Sequence, residues 1–317
     1  MHAVAEAVTD RVLTPVQVRA LSTRSDAAGA ARLALHGAFF VGAGFWVATA
    51  GPVMIWPAMF VLGLVQVALF APAHECMHRT AFRSDRANTI VGWLAAAPSL
   101  LNLDFYRSFH LAHHRHTQIP GRDPELAAIA PNTLSRYVLR VSGLAFWQLR
   151  LRVVWDAWRG DFSAYPYVSE QAAPRVIFSV RAMSASLFGG SIVAALLFGW
   201  QTPILFWIIP QLIGQPPLRA YLLAEHSGCT EDRNGLTNTR TTHTNILIRL
   251  LMWNMPYHAE HHLYPSIPFH RLAAAHTVIG QRLGFVQHGY MRWNIGWVRA
   301  LLAGAAQPAG SSRRPVA

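Results

Sequence analysis

Residues 258–265 read HAEHHLYP, three histidines within five positions, and the stretch before them is strongly apolar. Positions i, i+3 and i+4 share one face of a helix, so His258, His261 and His262 can turn three imidazoles toward one point. Two other segments carry related patterns. HECMH sets His74 and His78 four residues apart, and HLAHH sets His110, His113 and His114 at i, i+3 and i+4. His226, in AEHSG, stands at the end of another apolar run. Nine of the 16 histidines fall in these four places, and the segments around them decide the fold class.

Hydrophobic residues make up 52% of the 317 residues, charged residues 13%, and the mean hydropathy is +0.24. Soluble domains carry roughly 25% charged residues, so the composition indicates an integral membrane protein. The net charge is +12 with no lysine, so the surplus is entirely arginine. These arginines flank apolar runs and do not form stripes on a polar domain, which excludes a nucleic-acid binder. The first residues carry acidic groups and no continuous apolar core before Ala31, so they read as a cytosolic segment and not as a signal peptide. Cys76 and Cys229 supply neither a disulfide framework nor a CxxC metal or redox pair.

Four apolar stretches approach the ~20 residues needed to cross a hydrocarbon core: Leu33 to Ala50, Val53 to Pro72, Val176 to Trp200 and Pro203 to Ala224. The connections at Thr49 to Pro52 and Gly199 to Pro203 are short and free of arginine. All the strongly polar segments therefore fall on one side. Arg79, Arg83, Arg86, Arg107, Arg115, Arg122, Arg136 and Arg140 assign that side to the cytosol. The expected fold is an all-α integral membrane protein, with four transmembrane helices in two hairpins carrying a cytosolic helical cap. Its parts are an N-terminal segment 1–30, a membrane domain 31–290 and a C-terminal segment 291–317, with a disordered tail after Gln307. Ile90 to Leu103 and Ile246 to Met255 are too short to span and read as interfacial or cap-buried helices. Tyr137 to Trp158 mixes Arg with Leu, Val and Trp at helical spacing, as an amphipathic helix at the headgroups or in the cap does.

Eight or nine neutral imidazoles exceed what one metal ion accepts, so two metals are implied. Imidazole suits zinc, copper, nickel and iron, whereas magnesium and calcium take oxygen ligands. A structural zinc would close with four ligands. A site that also admits dioxygen or water favours iron.

The pattern H-x3-H, H-x2-H-H, H-x2-H-H, with apolar spans before the first box and between the second and third, resembles the membrane fatty acid desaturase superfamily, which includes hydroxylases, acetylenases and carotenoid ketolases. The likeness covers roughly Ala31 to His276. FHLAHHRHTQIPGRDPE, AEHSGC, NTRTT and WNMPYHAEHHLYPSIPFHRL look like bacterial desaturases acting on lipids or on natural products derived from amino acids. The resemblance implies that His74, His78, His110, His113, His114, His258, His261 and His262 hold a non-haem di-iron centre with dioxygen as co-substrate. His226 fits the extra histidine of such enzymes. Acyl-CoA members of known structure have an asparagine one turn before that histidine, holding a metal-bound water, and this chain has Leu222.

Glu75, Glu225 and Glu260 adjoin these histidines and are expected to bond imidazole N–H groups, fixing ring orientation. Asp104, Asp123 and Glu125 can do the same or pair with nearby arginines. His116 and His243 read as supporting or exposed groups, and His270, His276 and His288 as structural or surface ones. Pro216 and Pro217 are expected to kink or open the last span, where Gln211, Gln215 and Arg219 are unusual for lipid exposure.

The expected activity is dioxygen-dependent desaturation of a fatty acyl or other lipid-like chain at the bilayer surface. Hydroxylation or ketolation, for example of a carotenoid or terpenoid, is the alternative, and a non-enzymatic metal-binding protein the second. The chain carries no haem, flavin or ferredoxin module, so electrons are expected from a separate ferredoxin or b-type cytochrome with its reductase. The expected location is the bacterial inner membrane, multi-pass, with the site facing the cytosol.

Overall fold

The computed structural model describes residues 12–127 and 130–304; the tail after Gln307, expected to be disordered, lies outside the described residues. Three helices are long and apolar enough to cross a membrane: Asp26–Thr49, Ile55–His78 and Ala173–Phe198. The first begins where the Ser25 side chain accepts the Ala28 N–H at 3.2 Å, with Asp26 favourably placed in the first turn. The third stops at Gly199, whose φ of 94° suits a residue without Cβ. In their most apolar windows, 17% of residues in Asp26–Thr49 and Ala173–Phe198 are buried inside the protein, against 56% in Ile55–His78. The outer two therefore leave faces such as Phe40, Val41 and Phe45, or Leu196, Leu197 and Phe198, exposed, as lipid contact requires.

The fourth expected span is helical along its length: Gln201–Pro203, a π turn at Ile204–Ile208, and an α-helix at Ile209–His226. It is not among the three helices that meet the apolar criterion, because two glutamines, several prolines and Arg219 dilute it. A kink or a local opening was expected at Pro216 and Pro217; the chain stays α-helical across them, so the helix does not open there, and the irregular turn lies upstream. Pro210 has no N–H to offer the Phe206 carbonyl, and Gln66 Nε2 donates to it at 2.6 Å instead. Gln211 Nε2 in turn donates to Gln66 Oε1 at 3.3 Å, and Ser99 Oγ to Gln211 Oε1 at 3.1 Å. The polar residues of this helix thus face the bundle interior. Gly63 and Gly214 let the two central helices touch, since a Cβ on Gly214 would stand 2.5 Å from the Gly63 carbonyl oxygen.

The cap contains Asp85–Ala96, Leu103–His116, Leu134–Val141, Leu144–Arg159, His258–Leu263, Phe269–Ile279 and Tyr290–Leu302. The amphipathic segment expected over Tyr137 to Trp158 is two helices, because Gly143 takes φ 80° between them. Ile90 to Leu103 becomes the second half of Asp85–Ala96 followed by a 3-10 turn at Ala97–Ser99. A short parallel pair, Thr241–His243 with Val286–His288, ties the chain before the third histidine box to the chain after it. Trp293 and Trp297 of the last helix are buried in the largest apolar cluster, beside Trp253 and Phe269.

Candidate metal centre

Four elements bring the nine histidines together. The inner end of Ile55–His78 carries His74 and His78, with ring centroids 4.9 Å apart. Leu103–His116 starts at Asn102, whose side chain caps the Phe105 N–H at 3.0 Å and donates to Ser179 Oγ at 2.9 Å, setting the register of His110, His113 and His114. His226 ends its helix, and His258, His261 and His262 lie on the one-and-a-half-turn helix His258–Leu263.

One nitrogen from each of His74, His78, His110, His114 and His261 lies within 4.8 Å of all the others, and His113, His226 and His262 form a second such group. His258 belongs with the second, its Nε2 lying 3.2 Å from His226 Nε2. His110 Nε2 is approached by His74 Nε2 at 2.9 Å and by His114 Nε2 at 3.0 Å, and His261 Nε2 stands 3.2 Å from His114 Nε2. One proton can serve only one such pair, yet the second ring nitrogens of His74, His110, His114 and His261 are also buried without a partner. A neutral imidazole has one donor and one lone pair, so protons alone do not satisfy this cluster. A cation at each convergence would take the lone pairs of the Nε2 atoms that face one another, and the all-nitrogen donor set fits a transition metal.

Tautomers in the second group are fixed from outside. His113 Nδ1 donates to both oxygens of Asp123, at 2.9 and 3.0 Å. His226 Nδ1 donates to the Asn238 carbonyl at 3.2 Å. Thr117 Oγ1 gives its proton to the His113 carbonyl at 2.9 Å and so accepts from His262 Nδ1 at 3.2 Å. In each ring the Nε2 lone pair is left for the common centre. Burial, and after it the neighbouring imidazoles, holds His110, His114, His258, His261 and His262 well below the ordinary histidine range. These rings stay neutral, as ligation requires. Burial acts on His113 in the same direction, but Glu125 and the Asp123 contact outweigh it and raise that one ring.

The carboxylates divide differently from the sequence expectation. Glu75 Oε2 accepts from Thr80 Oγ1 at 2.8 Å and from the Phe269 N–H at 3.1 Å, while its other oxygen stays 3.9 Å from His74 Nδ1. Glu260 is taken by Thr241 and His276. Neither carboxylate hydrogen-bonds the ring next to it in sequence, because donors on neighbouring segments reach it first. Glu225 approaches His258 Nε2 at 3.5 Å, and Glu125 approaches His113 Nε2 at 3.8 Å. Glu125, His110 and His113 also form a metal-competent trio. Asp104 pairs with Arg175 at 2.8 Å. His116 joins none of the metal-competent groups among the described residues, and His243 stacks on His288 and meets His276 edge to face.

Asn238 and Thr117 lie in quoted stretches, NTRTT and FHLAHHRHTQIPGRDPE, but were given no role, because one acts through its backbone and the other is a small hydroxyl residue one turn beyond His113. Arg240, in NTRTT, was likewise given no role. Buried at 1% exposure, its guanidinium donates to the Ala224 and Ser227 carbonyls and so clamps the helix end that presents His226.

A cavity of about 350 Å³ adjoins the histidines, lined by His74, His110 and His258 and, further along, by Leu222, Arg150 and Arg219. Leu222 therefore faces the cavity where the sequence departs from acyl-CoA members, and Glu225, one turn along, brings a buried carboxylate to 3.5 Å from His258 Nε2.

The fatty acid desaturase family model matches residues 50–294, and the chain belongs to that family. It is a desaturase-type oxidoreductase of the membrane-bound kind. Among its relatives, dihydrorhizobitoxine desaturase of Bradyrhizobium elkanii is 28% identical over 73% of this chain and 69% of its own. The sn-1 oleoyl-lipid 12-desaturase of Picosynechococcus sp. is 25% identical over 80% and 77%. A sphingolipid delta(4)-desaturase of Oryza sativa subsp. japonica is 26% identical over 64% and 57%.

Proposed function

We propose that this chain is a dioxygen-dependent desaturase that removes two hydrogens from neighbouring carbons of an acyl or other lipid-like substrate. His74, His78, His110, His114 and His261 would hold one iron, and His113, His226, His258 and His262 a second. The bound irons with dioxygen would supply the oxidant that abstracts hydrogen from an unactivated methylene. The overall balance is one alkane segment, one dioxygen, two electrons and two protons giving one alkene and two waters.

The observation that carries the reading is the pairing of two imidazole groups with one cavity that both border. Three ring tautomers are set by Asp123, Asn238 and Thr117, so the nitrogens are oriented before any ion arrives. A second, almost wholly apolar groove of about 520 Å³, lined by Trp147, Phe188, Trp207 and Leu212, supports approach of a chain from the bilayer. The helix 201–226 serves as the fourth span, completing two hairpins, and the arginine-rich side faces the cytosol of a bacterial inner membrane. Electrons come from a ferredoxin or b-type cytochrome docking on that side.

The test compares mass spectra of lipid and metabolite extracts from aerobic cells expressing the native chain or His258→Ala/His261→Ala. A product lacking two hydrogens that depends on the histidines supports desaturation. A product gaining oxygen moves the reading to a hydroxylase or ketolase.

A further inference from the structure

Part of the lining of the cavity beside the histidines is cationic. Arg150 and Arg219 both pack on the Phe146 ring, with guanidinium carbons 5.3 and 4.4 Å from its centroid. Arg150 is 7% exposed, and the Nε atoms of both arginines are buried without a partner. Arg140 lines the same cavity, adding a third positive charge. Among the described residues, no carboxylate stands within ion-pair distance of these three arginines; Glu125 and Glu225 line the same cavity and act on Arg140 and Arg219 only through space, while their nearest cationic or imidazole contacts are His113 and His258. Gln215, fully buried, leaves both its amide nitrogen and its amide oxygen unpartnered.

Like charges gathered in a low-dielectric site repel strongly, and an unpaired buried guanidinium is costly. Burial pushes Arg150 down to about 10, so the group still carries its charge at neutral pH. An anion between the guanidiniums removes both penalties, and the planar fork of arginine matches a carboxylate. A cavity of about 350 Å³ is near the lower end for ligand pockets. It holds roughly a dozen groups of water size.

We propose that the substrate enters this cavity as a compact free carboxylate, held by Arg150 and Arg219 with Gln215, and not as an ester or thioester. This rests on the desaturase reading for the reaction, but the binding site is tested without turnover. An uncharged acyl ester would leave the guanidiniums unpaired, whereas a free acid satisfies them and extends its chain toward His110 and His258.

Isothermal titration of the metal-bearing protein in an uncharged detergent, with sodium octanoate, octanamide and octyl phosphate, separates the possibilities. Octanoate should bind at one site at least tenfold more tightly than octanamide, its neutral isostere, and more tightly than octyl phosphate. Arg150→Gln and Arg219→Gln should erase the preference for the acid while retaining bound metal. Equal binding of the amide, tighter binding of the phosphate, or no binding of octanoate to the unaltered chain would overturn the proposal. If octanoate binds but no histidine-dependent alkene forms from any acid, the carboxylate site stands and the reaction assignment fails.

Discussion

Asp123 grips His113 through both carboxylate oxygens, at 2.9 and 3.0 Å, ten residues along the chain and just beyond the helix that carries the ring. The same carboxylate accepts the Gln118 and Glu125 backbone N–H groups at 2.8 and 2.9 Å. The loop that follows the second histidine box is therefore folded around the group that orients one of its rings.

Asp123→Asn replaces a charged acceptor by an amide that can offer only one oxygen to the ring. Loss of such a supporting partner typically weakens metal binding by roughly 10- to 100-fold. Metal content measured after dialysis against graded chelator should fall at lower chelator concentrations than for the wild type, with helicity unchanged. Unaltered metal retention would mean that the contact only shapes the loop.

The two histidine groups differ in number, five against four. His226→Ala leaves three rings in its group, and His261→Ala leaves four in the other. Chelator titration should therefore strip the second position from His226→Ala before it strips the first position from His261→Ala. Identical titration curves for the two variants would contradict the division into two centres.

Acid should loosen the metal-free protein. His110, His114, His258, His261 and His262 have folded values well below the unfolded 6.5, so below pH 6.5 the unfolded chain binds protons that the folded chain refuses. Their stabilisation is present above pH 6.5 and is lost as pH falls through the folded values. His113 runs the other way, its raised value favouring the folded state below pH 6.5, but it is one ring against five. The thermal midpoint in detergent should hold steady from pH 8.5 to 7.5 and decline progressively below 6.5. A midpoint that rises on acidification would contradict neutral burial of these rings.

Arg240→Lys should show that the clamp on the His226 helix end needs a fork. A lysine keeps the charge but cannot reach the Ala224 and Ser227 carbonyls together in the arginine geometry. The loss of charged hydrogen bonds at a buried site costs about 2 kcal/mol. The thermal midpoint should drop, and metal should leave the group containing His226 more readily than the group containing His261.

The histidines were legible in the sequence because helical spacing converts i, i+3 and i+4 into a shared face, and that geometry needs no tertiary information. The first three spans were equally readable as runs of apolar residues. What lay beyond reach depends on contacts between distant segments. Glu75 and Glu260 look like partners of the adjoining rings, yet Thr80, Phe269, Thr241 and His276 claim them. Pro216 and Pro217 drew attention as helix breakers, while the turn that departs from α geometry precedes Pro210, where Gln66 of another helix supplies the missing donor. Arg219 was marked as unusual in a span, but its company, Arg150, which packs on the same Phe146 ring, comes from a cap helix about seventy residues earlier.

The nine histidines come from four stretches between residues 74 and 262. A ribosome that has released the chain only as far as residue 225 has delivered five of them, and the group containing His226 has just one of its four. Neither of the two proposed ions could find its full set of nitrogens until the third box has emerged. In the proposed site, metal loading is thus tied to the end of synthesis, and each ion, once seated, would join the first half of the chain to the second like a late-fastened clasp.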